Sequence, residues 1–186
     1  MGQTSKRERT QARLAECAVR LFEKQGFAAT SVAQIAEAAG VTEMTFFRHF
    51  GAKEAVITTD PYDPVVATGI HHRPRNEKPL TRAVRGLRSA FGGISEPEVD
   101  ILRRRVRIIA RTPELRAAVA QQNQETEQAI WGQLIADGAV EFEARIAAAA
   151  VMATLTAALY EWAEHETRTI ATTFEQALQI LEEQRD

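Results

Sequence analysis

Apolar positions recur along this chain at steps of three and four, the spacing of one face of an α-helix, and the stripes follow one another closely enough to predict an all-α protein. Leu14, Cys17, Ala18, Leu21 and Phe22 mark a first helix, from about Glu8 to Gln25, that stops at Gly26. Val32, Ile35, Ala36 and Ala39 mark a second. Ser31 stands where it can cap that helix, and Gln34, three residues on, completes a capping box. Gly40 takes positive φ without steric cost, so a sharp turn is expected there. Thr42 caps a third helix, with Glu43 at the positive end of its macrodipole. Phe46 and Phe50, four apart, turn inward against Ile35 and Val41, while Thr45, Arg48 and His49 occupy the opposite face.

A fourth helix opens at Lys53, and the pairs Asp60-Pro61 and Asp63-Pro64 break it and start a short helix from Pro64 to about Ile70. The run from His71 to Pro79 reads as a loop, its adjacent histidines too isolated from other ligand types for a metal site. Leu80, Val84, Leu87 and Phe91 form the next stripe, ended by Gly92-Gly93. Ser95 and Glu98 make a capping box for a helix holding Ile101, Leu102, Val106 and Ile109. It carries Arg103, Arg104, Arg105, Arg107 and Arg111. Four of these can point to water, but Arg105 falls on the flank of the buried face and needs a partner, either an internal carboxylate or an anionic ligand.

The helix from Thr112-Pro113 to about Asp137-Gly138 has an inner stripe of Leu115, Val119, Ile130 and Leu134, interrupted by Gln122 and Thr126. That interruption suits a ligand cavity with a few polar groups, and equally an exposed middle or an internal hydrogen-bond network. Phe142 to about His165 is rich in alanine, and Thr169 to Arg185 closes the chain with Ile170, Phe174, Leu178 and Leu181. These two helices are apolar on more than one side, more surface than one small body buries. Pairing with the same helices of a second copy would cover it.

About nine to ten helices result, divided into an N-terminal head, residues 1–52, and a larger body, residues 53–186. The 186-residue chain has a formal net charge of −2, unevenly spread. Residues 1–53 have a balance of +3 and the remainder −5, which fits a basic DNA-facing end on an acidic body. Lys6, Arg7, Arg9 and Arg13 add basic side chains at the first helix, available to phosphates or simply solvated. With one cysteine, on an apolar stripe, no internal disulfide forms. No run approaches about 18 apolar residues, and the charged start lacks a signal-like stretch, so the cytoplasm is the expected compartment. No glycine-rich phosphate loop, metal-spaced set or catalytic constellation is present in the sequence, and neither cofactor nor metal is expected.

Two short helices joined at a glycine turn, the second with an aromatic inner face and a polar outer one, make a helix-turn-helix. Gly40-Val41-Thr42, Thr45-Phe46-Phe47, His49-Phe50 and Lys53 resemble the DNA-binding signature of the tetracycline-repressor (TetR) family, over roughly the first third of the chain. The family usually has Tyr at Phe47 and a capping residue at Ala52, and commonly a long fourth helix where Pro61 interrupts this one. The resemblance implies a homodimeric, ligand-responsive transcriptional regulator, a repressor by expectation, binding a palindromic double-stranded operator. Thr42, Thr45, His49 and Lys53 would position phosphates, Glu43, Met44 and Arg48 would read base edges, and Phe47 would lie against the backbone. Dimerisation would use helices 142–165 and 169–185, and a small, amphipathic or anionic effector would sit near Arg105, Gln122 and Thr126. The segments LRRRVRIIARTPELRA and EARIAAAAVMATLTAALYEW more distantly resemble a subgroup binding acyl-CoA-like ligands. The competing readings are an all-helical carrier or enzyme, and a DNA-binding protein whose body docks other proteins.

Overall fold

In a computed structural model, residues 5–59, 69–91 and 96–183 are described, and every regular element among them is an α-helix. In chain order these are α1 (Lys6–Gln25), α2 (Val32–Ala38), α3 (Glu43–Phe50), α4 (Ala55–Thr58), α5 (Pro79–Phe91), α6 (Glu96–Arg111), α7 (Pro113–Ala136), α8 (Glu141–Glu164) and α9 (Ile170–Glu183). The break around Pro61 and Pro64 and the capping box at Ser95 lie outside the described residues.

The chain packs as two compact units, one running to Thr59 and taking in Arg104–Ala118, the other made of Asp60–Arg103 and Val119–Asp186. In the first, α1 starts two residues earlier than its apolar stripe suggests. Ser5 accepts from the amide of Glu8 and the Glu8 carboxylate accepts from the amide of Ser5, so two orphan amides of the first turn are satisfied. Helix α1 packs on α2 and α4, and α2 on α3, around Leu14, Ala18, Phe22, Ile35, Phe46 and Ile57, all buried.

Arginines from α6 complete this unit. Arg104 forks onto Glu23 at 2.8 and 2.7 Å, and that hydrogen bond holds the Glu23 carboxyl below its ordinary range. Arg105, which needs a partner on the flank of the buried face, donates to main-chain carbonyls, Ile57 at 3.1 and 2.7 Å and Thr59 at 2.6 Å. A helix leaves its last carbonyls unpaired, and a guanidinium satisfies them while complementing the negative end of the dipole. The single turn of α4 is thus held by a cation from elsewhere in the chain.

In the second unit α8 packs against α5 and α9, and α9 against α5. Ala144, Ala147, Ala148 and Val151 of α8 are buried, so backbones approach closely, while Leu155 and Trp162 fill the wider spaces. Arg103 caps the end of α8: it donates to the carbonyls of Trp162 (2.7 Å), His165 (2.6 Å) and Arg168 (2.8 Å), with its plane 4.3 Å from the Trp162 ring. The expectation that four arginines of this run point to water therefore fails for Arg103 and Arg104. Among the described residues α8 is also long and apolar enough, by length and composition, to cross a membrane, although its apolar run is interrupted by polar residues. Its alanines serve the packing just described.

Asp137, read from sequence only as part of a helix end, is a buried centre of charge. It receives Arg82 at 2.5 Å, Gln133 at 2.7 Å and Arg75 at 3.2 Å, and the side chains of both Asp137 and Arg82 are almost wholly removed from water. The hydrogen bond from Gln133, followed by those and the charges of the arginines, keeps its carboxyl below the usual carboxylate range. Nearby, Gly86 faces Ile70 so closely that a Cβ would stand 2.7 Å from the Ile70 Cγ1 and 2.8 Å from its main-chain N and Cα. Gly86→Ala is therefore expected to destabilise by about 1–3 kcal/mol despite its better helix propensity, because backbone rather than a side-chain tip must move. A lowered urea midpoint checks this; a raised midpoint contradicts it.

Candidate nucleic-acid interface

The head is set by its turn. Val41 donates to the Ala36 carbonyl and Gly40 to that of Glu37, both at 2.9 Å, and Gly40 adopts a φ of +63°, where a side chain would be strained and a Cβ would lie 3.1 Å from the Arg13 guanidinium. Thr42 then caps α3 by accepting from the Thr45 amide at 3.2 Å. The two threonine hydroxyls are 3.0 Å apart, so one proton is shared between them and one stays available to an outside acceptor.

Phe46 is fully buried and meets Phe47 edge-on and Phe50 at 5.6 Å, which fixes the rotation of α3 about its axis. The opposite face is consequently outward. Glu43 and Arg48 are exposed, Met44 is 80% exposed and Phe47 48%. Thr45 and His49 are half-buried at the edge of that face. Burial first, then the charges of Arg48 and Arg7, lowers the His49 pKa, so its imidazole is neutral at pH 7. Met44 and Arg48, one turn apart, thus stand in water on a helix whose other side is sealed by phenylalanine.

Seven of the eight residues expected at the DNA, Thr42, Glu43, Met44, Thr45, Phe47, Arg48 and His49, are thus gathered on α3 and its cap. Lys53 is placed elsewhere. Its ammonium donates to the carbonyls of Phe27 (2.9 Å) and Thr30 (3.1 Å) and sits 3.9 Å over the Phe27 ring, closing the α1–α2 loop. Two of its three protons are spent there, so its service to the head is mainly to fix the loop that precedes α2. Of the residues expected around an effector, Thr126 is buried and Gln122 half-buried on α7, one turn apart, and each is partnered within the protein. Lys6 and Arg7, which the sequence left between phosphates and solvent, line a cleft with Thr10, Thr45, Arg48 and His49. The Ser5 and Glu8 capping box extends α1 far enough to bring them beside α3.

A helix-turn-helix with an outward α3, joined to elements that are all α-helices among the described residues, is the arrangement of DNA-binding regulators. Residues 14–58 match the family described as bacterial regulatory proteins, tetR family, and residues 78–186 match the MftR C-terminal domain. The chain belongs to the tetR family of transcriptional regulators. It is 34% identical over 129 residues to the HTH-type transcriptional regulator TcmR of Streptomyces glaucescens, covering 66% of this chain and 57% of that protein. Over 113 residues it is 33% identical to the putative mycofactocin biosynthesis transcriptional regulator MftR of Mycobacterium tuberculosis, covering 60% and 57%. The chain thus spans little more than half the length of these curated relatives. Its fold resembles that of NalD, the secondary repressor of the MexAB-OprM multidrug efflux pump in Pseudomonas aeruginosa, with a TM-score of 0.58 at 22% identity over 95% of each chain.

Proposed function

We propose that this protein is a homodimeric repressor whose two α3 helices enter successive major grooves of a palindromic operator, and which a small molecule releases. The observation that carries the reading is the sidedness of α3, sealed inward by Phe46 and bare outward at Glu43, Met44 and Arg48. Arg48 has the fork that matches the O6 and N7 acceptors of guanine, and Glu43 accepts from a cytosine amino group. Met44 and Phe47 offer apolar contact, to a thymine methyl and to the sugar edge. The free proton of the Thr42 and Thr45 pair and the His49 ring hold phosphates. Arg48→Ala is expected to weaken operator binding by roughly 1–3 kcal/mol and to abolish preference at one base pair in a binding assay with single-base operator variants. Equal losses on operator and on unrelated duplex would contradict that role.

A lone chain leaves Phe142 (73%), Ile146 (53%) and Ile180 (60%) in water, and the α8 stripe continues through exposed Ala153 and Ala157. Phe142, Ile146, Ala153 and Ala157 follow helical spacing, so a second copy of α8 and α9 covers them as a four-helix interface. Two-fold symmetry of the protein then imposes two-fold symmetry on the operator. The effector binds in the helical body, among the segments from residue 80 to 165, with Gln122 and Thr126 as the polar groups of an otherwise apolar stripe. An amphipathic molecule, acyl-CoA-like in chemistry, fits that mixture best. It releases DNA only if it favours the arrangement that cannot bind, and a shift from 1:99 to 99:1 takes about 5.5 kcal/mol of differential affinity. The test is titration of the protein–operator complex with acyl-CoA thioesters of graded chain length: release at saturation supports this reading, and unchanged affinity with a bound thioester removes it. The setting for such activity is the cytoplasm, where the chromosome is.

A further inference from the structure

Beside α3 lies a cleft of about 510 Å³ that the recognition helix does not need for reading bases. Its α3 wall is Thr45, Arg48 and His49, its floor includes Val41, and its other wall is the start of α1, with Lys6, Arg7 and Thr10. Lys6 and Arg7 are exposed and belong to none of the ion pairs described above, while the Thr10 hydroxyl donates to the Lys6 carbonyl at 2.9 Å and so serves as wall rather than donor. Three cations face one another across the cleft with no carboxylate among its lining residues. Their shared sign raises the positive potential of the cleft and favours an anion there. The Nδ1 of His49 is buried there with no hydrogen-bond partner, in a ring kept neutral by burial and by the two arginines.

We propose that this cleft is a seat for one phosphodiester of the DNA backbone, so that the first turn of α1 is a second DNA-contacting element working beside α3. It rests on the reading of α3 as the recognition helix. An α-helix with its side chains is about 10–12 Å across and the major groove about 12 Å wide, so α3 fills the groove from wall to wall. Groups flanking α3 then meet the phosphate strand that borders the groove, and the cleft is such a flank. Lys6 supplies a point charge, Arg7 a planar fork, and the hydroxyl proton left over by Thr42 and Thr45 a third donor. Anionic chemistry alone is shared by inorganic phosphate and by DNA, and the continuity of the cleft with the exposed Arg48 selects DNA.

The experiment measures binding of the full chain to its selected operator and to an unrelated duplex between 50 and 400 mM salt, for the wild type and for two variants. Lys6→Gln with Arg7→Gln removes two contacts, and Arg9→Gln removes a charge from the same turn at a side chain that does not line the cleft. Each phosphate neutralised contributes about 0.9 to the slope of log affinity against log salt. The double variant is expected to flatten that slope by roughly 1.8 on both duplexes, with the operator preference intact, and Arg9→Gln to leave it unchanged. An unchanged slope in the double variant, or an equal flattening per charge in Arg9→Gln, overturns the proposal. Binding of inorganic phosphate to the free protein that the double variant loses, with the salt slope on DNA unchanged between wild type and variant, would assign the cleft to the free ion and overturn DNA as its occupant. Should the wild type show no preference for any duplex, the recognition-helix reading fails, while the slope comparison still decides whether the cleft holds phosphate.

Discussion

Phe142→Glu with Ile146→Glu is expected to convert the proposed dimer to monomers at micromolar concentration and, through that alone, to cost operator binding most of its affinity. Both side chains are more than half exposed in one chain, so the substitutions place charge in water and leave the fold of the protomer intact. In the dimer the same carboxylates would be buried two-fold against their own copies, without partners, at about 3 kcal/mol or more per interface. That corresponds to a rise in the dimer dissociation constant of roughly 100-fold or more. Sedimentation at several concentrations reads the oligomer directly, and circular dichroism confirms the helices. Variant dimers that persist unweakened would move the interface elsewhere. Variant monomers that still bound operator as tightly as the wild type would show that two joined heads are not needed.

Asp137→Ala should be the most damaging single change in the body. It strands the Arg82 guanidinium, whose side chain is as enclosed as that of Asp137, with no counter-charge. Removing one member of a buried pair costs about 3–5 kcal/mol, whereas replacing both by apolar groups of similar volume is often neutral. Urea denaturation at one fixed protomer concentration therefore separates the possibilities, since dimer formation would otherwise shift the midpoint. Asp137→Ala lowers the midpoint sharply, and Asp137→Leu combined with Arg82→Met restores much of it. Acid acts on the same pair. The folded Asp137 carboxyl titrates below its unfolded value, so its stabilisation is complete above the unfolded pKa, about 3.9, and is lost as pH falls through the lower folded value. If Asp137→Ala matched the wild type in urea, the pair would be idle.

What could be read along the chain and what could not divides by the range of the interaction. The caps at Ser31 and Thr42 and the positive φ of Gly40 are contacts between residues three or four apart, so the residue types alone placed them. With them came the rotation of α3 and seven of its candidate contacts. The stripe Leu80, Val84 and Leu87 was legible for the same reason, but it hid Arg82, a cation buried within it, because its partner lies 55 residues away. Arg105 was recognised as needing a partner, yet main-chain carbonyls at the end of α4 leave no trace in residue identity. Lys53 was legible only as a basic residue after α3; its two bonds to the α1–α2 loop and its seat over Phe27 depend on the three-dimensional path of the chain. The grouping of Arg104–Ala118 with the N-terminal unit was equally invisible, being decided by contacts such as that between Arg104 and Glu23, 81 residues apart.

In the proposed regulator α3 presents a base-reading surface twice, in a symmetric pair. Repeated selection of bound fragments from a pool of random duplex DNA by the full chain tests it most directly. The account predicts enrichment of an inverted repeat whose half-sites are about one helical turn or a multiple apart, with a guanine in each half-site whose preference disappears in Arg48→Ala. Enrichment of no sequence, or of a single unrepeated site indifferent to Arg48, would contradict it.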